Sequence, residues 1–307
     1  MTLYTSLNDI KSRPCVIALG CFDGVHLGHA DVLGTAKKLA DSLSLPLAVF
    51  TFREPPKNYF LSTPTPLIIT PQEKYRILES LGVYTCVSLD LSEEIFSTPA
   101  EDFARKILKE KIGAVRAVCG FNYAFGKGSK GNAELLREIF GRHNVTEVEP
   151  YVIDGTPVSS SQIRSAVENG DVKRACALLG RPFSITSQVV DGQHLARRLG
   201  FPTFNLLPPK GVLLPRRGVY LTSTHIEGIG EVYGITNIGI RPTVDVGIEC
   251  AETHLFDFDE DLYGKTLTVK LLDFIREERR FESVEQMAEQ IRTDILTAKN
   301  LVNSIVY

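Results

Sequence analysis

Residues Pro14–Leu43 read "PCVIALGCFDGVHLGHADVLGTAKKLADSL", and the change of pattern along them decides the fold. Cys15–Phe22 is an apolar run of strand length. His29–Leu43 places Val32, Leu33, Ala36, Leu39, Ala40 and Leu43 on one helical face. Between them lie Gly20, Gly24 and Gly28, with His26 and His29 three residues apart. The alternation continues downstream. Strands are expected at 46–52, 85–91, 114–121 and 145–153, and helices at 70–82, 99–113 and 131–143. Thr70 is the expected N-cap of the second helix, Pro71 its first residue and Gly82 its stop. This order predicts an α/β, Rossmann-like domain: a parallel sheet with helices on both faces.

The pattern changes near Arg181. Residues 160–180 read as helix, ending at Gly180 with Pro182 beyond. "FSITSQVVDG", "GVYLTSTHI", "GEVYGITNIG" and "KTLTVKLLDFI" follow as glycine-punctuated strands. In "LTVKLLDF", Leu267, Val269 and Leu271 fall on one side, Thr268 and Lys270 on the other. A helix over 283–302 closes the chain. The second part is therefore expected to be a small antiparallel β-barrel with a terminal helix. A chain of 307 residues is long for one core, so two domains are expected, 1–180 and 181–307.

A net charge of −3 gives no reason to expect nucleic acid or an anionic membrane as partner. No apolar run reaches the ~18 residues of a spanning helix. The N-terminus lacks a charged start followed by an apolar core, so a cytoplasmic location is expected. The six cysteines are scattered with no C-x-x-C, which disfavours zinc and fits reduced thiols.

Gly20–His29 sits at the carboxyl end of the first strand, where open parallel sheets bind ligands. A helix N-terminus there is a ready anion site. If the helix begins near Val25, His26 and His29 share a face and can donate to phosphate oxygens. Metal ligation lacks a third ligand nearby, and a plain turn leaves the coincidence of features unexplained. "GKGSKG" (Gly126–Gly131) does not match a P-loop, although Lys127 and Lys130 suit anions. Ser160 and Ser161 start a helix with Arg164 one turn in.

"GCFDGVHLGH" resembles the H-x-G-H signature of nucleotidyltransferases, in the form found in bacterial FAD synthetases. "GFNYAFGKGSKG" (Gly120–Gly131) and "VSSSQIRSAVENGDV" (Val158–Val172) are similar to two further segments of that family. The resemblance implies transfer of AMP from ATP to FMN, with charge stabilisation by His26, His29, Arg164 and Mg2+. It also implies that Gly20, Phe22, Asp23, Gly24, Asn122, Ser160 and Ser161 contact the nucleotide. One departure is Pro55, where the family commonly has histidine.

In "LGFPTFNL" (Leu199–Leu206), Thr203 and Asn205 fall on one face of an extended strand. They suit a Mg2+–phosphate site, and equally a strand start with a polar face. Glu252 lies in the strand-like "AETHLFDFDEDLYG", whose acidic cluster reads as surface. "GFPTFN", "NIGIRPT" (Asn237–Thr243), "ETH" (Glu252–His254), "LYG" (Leu262–Gly264) and "FIREERRF" (Phe274–Phe281) together resemble the riboflavin kinase module. The resemblance implies that Thr203 and Asn205 hold Mg2+ and ATP phosphates. Glu252 would be the base for the ribityl 5′-hydroxyl, Arg276 would lie on the flavin phosphate side, and Gly192 and Asn237 would bind substrate. Ala196 stands for the usual glycine before Arg197, and Phe204 for a small residue. The implied function is synthesis of FMN from riboflavin and of FAD from FMN. The rivals are a paralogue active only in FMN adenylylation and a flavin-binding regulator without turnover.

Overall fold

The structure is a computed structural model that describes residues 1–190, 200–241 and 248–305. By its internal contacts the chain divides into Met1–Ser160 and Ser161–Tyr307.

The first unit is built on a six-stranded sheet. Its strands are β1 (Thr2–Tyr4), β2 (Cys15–Leu19), β3 (Leu47–Phe52), β4 (Thr85–Leu89), β5 (Ala114–Gly120) and β6 (Val145–Val148). All pairings are parallel, in the order β1-β4-β3-β2-β5-β6. β2 is buried along its whole length, which is why it reads as an unbroken apolar run. α1 (Leu27–Ser42) covers one face of β2 and β5 through Val32, Leu33, Ala36 and Ala40. α2 (Pro71–Ser80) follows β3, with Thr70 accepting the Glu73 N–H at 3.2 Å as its cap. α3 (Glu93–Ser97) and α4 (Ala100–Asp102) follow β4, and α4 runs on as a π-helix over Phe103–Ile112. That π-helix and α5 (Ala133–Phe140) bury Phe103, Leu108, Leu136 and Phe140 in one cluster with Ile17, Leu19 and Phe50 of the sheet. Each such side chain contributes about 1.5–3 kcal/mol. β7 (Val152–Ile153) and β8 (Thr156–Pro157) form a short hairpin.

The helices on both faces agree with the sequence. Several details differ. α1 does not begin near Val25, because Val25 is left-handed (φ 38°); His26 is the N-cap. Leu43 caps the other end and is 38% exposed, not part of the buried face. The expected strand over 145–153 stops at Val148. The expected helix over 160–180 is two helices, α6 (Ser160–Glu168) and α7 (Val172–Leu179). Gly170 turns left-handed (φ 80°) between them, and the Asp171 carboxylate caps α7 by accepting from Arg174 N–H at 2.9 Å. Gly-Asp is a stop followed by a start, and helical periodicity on both sides hides it.

The second unit is a closed barrel of β9 (Phe183–Val190), β10 (Phe204–Leu206), β11 (Gly218–Ile226), β12 (Gly230–Arg241), β13 (Ile248–Leu255) and β14 (Thr266–Glu277). The strands run antiparallel in the order β10-β13-β12-β11-β14-β9. Inside it, Thr222, Thr236 and Thr253 are fully buried and linked hydroxyl to hydroxyl at 2.9 Å, so their polar atoms are satisfied. α8 (Val284–Ile305) packs outside on Val219, Leu221 and Ile235 through Ile291, Ile295 and Ala298.

Candidate active sites of the two units

In the first unit a cleft of 620 Å3 opens at the carboxyl ends of β2, β3 and β5. The strand order reverses there, since β3 and β4 lie to one side of β2 and β5 and β6 to the other. Open parallel sheets bind ligands at such a point. His26 and His29 both line it. His26 Nδ1 accepts the N–H of His29 at 3.2 Å, so a neutral His26 carries its proton on Nε2 as a donor. The two rings stack at 3.6 Å and 16°. Burial first, then the neighbouring His26 and Lys74, hold His29 well below the ordinary histidine range, so its ring is neutral at pH 7. Its Nδ1 is buried without a hydrogen-bond partner among the described residues. Buried polar atoms without a partner are rare and call for an explanation.

The loop before α1 is held in an unusual shape. Phe22 (φ 52°), Gly24 (φ 81°) and Val25 (φ 38°) are all left-handed, at about 1–3 kcal/mol for each non-glycine. Packing holds them, since Phe22 and Val25 are buried. The Phe22 ring lies on Gly20, where a Cβ would meet it at 2.9 Å. The Asp23 carboxylate accepts the Ile68 N–H at 3.0 Å, Ser160 Oγ donates to the Asp23 carbonyl at 3.0 Å, and Thr51 Oγ1 donates to the Cys21 carbonyl at 2.7 Å. Asp23 and Ser160 thus fix the loop itself. Asn122 lines the cleft just past β5, Ser161 is exposed, and Arg164 is buried on α6.

An aromatic wall completes the cleft. Phe52 stacks with Phe96 at 6.2 Å and 13°, and Phe60 meets Phe96 at 5.3 Å. Phe60 is 72% exposed. Pro55 caps the 3-10 turn Pro56–Phe60 that presents it. The sequence reading missed this wall, because residues 52, 60 and 96 share no motif.

The second cavity, of 300 Å3, lies between the barrel and α8. Cross-strand register explains its lining. Asn205 pairs with Glu252, Glu252 with Asn237, Asn237 with Val219, and Val219 with Arg276. Register partners point to the same face about 5 Å apart, so five strands set these side chains in one row. Thr203 Oγ1 donates to Glu252 Oε1 at 2.8 Å. Cys250 Sγ donates to Asn205 Oδ1 at 3.2 Å. Phe204 points the other way, opposite Thr253 on the inner face, and is buried, so its bulk goes into the core. His254, without an assigned role from sequence, lines the cavity and its Nδ1–H donates to the Pro202 carbonyl at 2.8 Å. Burial pushes its pKa down.

Arg276 lines this cavity, but its guanidinium is committed. Nε and Nη2 donate to the buried Asp294 of α8 at 2.8–3.0 Å, and Nη1 to the Glu277 carbonyl at 2.8 Å. Gln290 adds a bond to Asp294 at 2.7 Å. Gly192 and Ala196 lie outside the described residues.

Family models match both units. A model for FAD synthetase covers residues 9–162 and one for riboflavin kinase covers 179–302. The bifunctional riboflavin kinase/FMN adenylyltransferase of Bacillus subtilis is 36% identical over 91% of this chain and 90% of its own length. That of Pseudomonas fluorescens is 35% identical, covering 98% of both chains. A crystal structure from Streptococcus pneumoniae, solved as a macrolide-efflux protein, matches with a TM-score of 0.88 at 32% identity, over 97% of this chain and 98% of that one. Efflux is said of that protein. Among the described residues here, no helix is long and apolar enough to cross a membrane. Full-length identity to these enzymes, with one module matched in each half, means that the chain belongs to the bifunctional riboflavin kinase/FMN adenylyltransferase family.

Proposed function

We propose that this chain makes FAD from riboflavin in two ATP-dependent steps, with residues 181–307 as the kinase and 1–180 as the adenylyltransferase. The meeting of Thr203, Asn205 and Glu252 on one face, from separate strands, carries the kinase reading. Glu252 takes the proton of the ribityl 5′-hydroxyl as that oxygen attacks the γ-phosphorus of ATP, and ADP leaves. Thr203 holds the carboxylate in place through its hydroxyl. The donor set, a hydroxyl and an amide oxygen beside a carboxylate, fits Mg2+, which prefers hard oxygen ligands and keeps several waters. Thr203 and Asn205 would hold it, and it would neutralise phosphate charge. Asn237 lies next to Glu252 in the same row to orient substrate. Arg276 acts by seating α8 over the cavity.

In the other half an FMN phosphate oxygen attacks the α-phosphorus of ATP, and pyrophosphate leaves in line. The α1 N-terminus, the Nε2–H of His26 and His29 stabilise the triphosphate charge. Gly20, Phe22, Asp23 and Gly24 shape the loop that lets the backbone approach the phosphates. Asn122, Ser161 and Arg164 serve as further nucleotide contacts, Arg164 through its guanidinium. The Phe52–Phe96–Phe60 wall suits a planar isoalloxazine ring. Six free cysteines fit a cytoplasmic enzyme.

The test is chromatographic. Purified protein with ATP and Mg2+ is given riboflavin or FMN, and FMN and FAD are measured. His29→Ala abolishes FAD formation and spares FMN formation; Glu252→Gln does the reverse. No turnover of either flavin refutes the enzyme reading, and FMN formation by Glu252→Gln refutes its assignment as base.

A further inference from the structure

Lys74 belongs to none of the motifs above, yet it is 3% exposed in the first unit. A buried ammonium is costly unless a specific partner holds it. An apolar side chain of similar length would fill the same space without that cost. What the lysine adds is a donor: Nζ donates to the Phe52 carbonyl at 2.5 Å. Phe52 ends β3 and begins the aromatic wall. Burial pushes the Lys74 ammonium below the ordinary lysine range, with the Asp23 carboxylate acting against that shift. The donor bond survives in either protonation form.

The residues leading into α2 hold the opposite wall. Ile68 N–H donates to the Asp23 carboxylate at 3.0 Å, and the Ile68 side chain lies under Gly24, where a Cβ would meet its Cδ1 at 3.1 Å. α2 is itself pinned to the sheet by Tyr75 Oη against Ser88 Oγ at 2.9 Å. Residues 68–75 therefore grip both the histidine loop and the end of β3.

We propose that Lys74 is a positioning residue for adenylyl transfer: its bond to the Phe52 carbonyl, with the Asp23–Ile68 bond, fixes the aromatic wall against the histidine loop. The inference rests on the reading that the wall carries the flavin ring. Loss of the bond lets the end of β3 drift, which affects FMN alignment more than ATP binding.

The experiment compares Lys74→Met, Lys74→Gln and Lys74→Arg in the full chain, following FAD made from FMN. Lys74→Met raises the KM for FMN about 10-fold and lowers kcat about 10-fold or more, with the KM for ATP within about 2-fold of wild type. Lys74→Gln and Lys74→Arg, which keep a donor, recover both to within about 3-fold. A loss of stability alone lowers the active fraction and leaves every KM unchanged, so the selective KM rise separates the two roles. Equal kinetics in all three variants overturns the proposal. Should Lys74→Met fail to fold, Lys74→Leu takes its place: a 10-fold or larger rise in the FMN KM, about 1.4 kcal/mol, sustains the role of the bond, and near wild-type kinetics overturn it. Phe96→Ala separates this inference from the reading beneath it. An unchanged FMN KM in Phe96→Ala refutes the flavin wall, whereas a raised one beside an unaffected Lys74→Met refutes only the role of Lys74.

Discussion

Adding one methyl group at Gly28 should slow FAD formation without unfolding anything. A Cβ there would lie 3.2 Å from His26 Cε1 and 3.3 Å from its Nδ1. Carbon contacts relax to about 3.7 Å, so the His26 ring must retreat by about 0.5 Å. The bond from His29 N–H to His26 Nδ1, 3.2 Å in the structure, then stretches to about 3.7 Å and is lost. The ring also sits 3.6 Å over that of His29, so both imidazoles shift relative to the phosphates. Losing the cap costs about 1 kcal/mol, while Gly→Ala in a helix returns up to about 1 kcal/mol, so stability hardly changes. The rate does not share that compensation. Misplacement by a fraction of an ångström gives a loss of about 10- to 100-fold in kcat. The assay is chromatographic measurement of FAD from FMN, with FMN from riboflavin as the internal control and a thermal melt alongside. Gly28→Ala that makes FAD within about 2-fold of the wild-type rate would show that the position of the His26 ring does not matter.

Three further outcomes are expected. Asp294→Asn leaves Arg276 without its buried counter-charge, destabilising the barrel half by about 3 kcal/mol and lowering its melting temperature by about 6–12 °C, which calorimetry reads. Thr203→Val removes the hydroxyl that holds Glu252 and lowers kcat for FMN formation about 100-fold, while Thr203→Ser restores most of it. His29 gives a pH signature. Its folded pKa lies below the ordinary 6.5, so below pH 6.5 the unfolded chain binds a proton that the folded chain does not. Stability therefore falls with falling pH there, by up to about 1.4 kcal/mol per unit. His29→Asn removes that contribution, so the stability gap between wild type and variant narrows from pH 8 to pH 5.5; a constant gap in chemical denaturation counts against the buried neutral ring.

The order of elements was legible in the sequence because each reports itself locally. β2 reads as a strand since all five residues are buried, and Thr70 and Pro71 announce α2 where it starts. Local signals misled where two conformations share a period. Helical spacing runs through Asn169–Asp171, yet Gly170 breaks the helix. His26 has the spacing of a first-turn residue, yet Val25 is left-handed and makes it the cap. The candidate residues were found through motifs, but not what holds them. Asp23 and Ser160 were read toward a ligand, and their visible bonds hold the loop.

By itself the sequence determined the two architectures, since period and caps act over a few residues, and its resemblance to two families pointed to the histidine loop, to Glu252 and to the pairing of chemistries. Only the tertiary structure decided which distant residues meet. Asn205, Val219, Asn237, Glu252 and Arg276 form one row because of strand register around a closed barrel. Phe52, Phe60 and Phe96 form one wall because a 3-10 turn and a short helix converge at the end of β3. Register and convergence are set by the packing of whole elements, so no local stretch of residues records them.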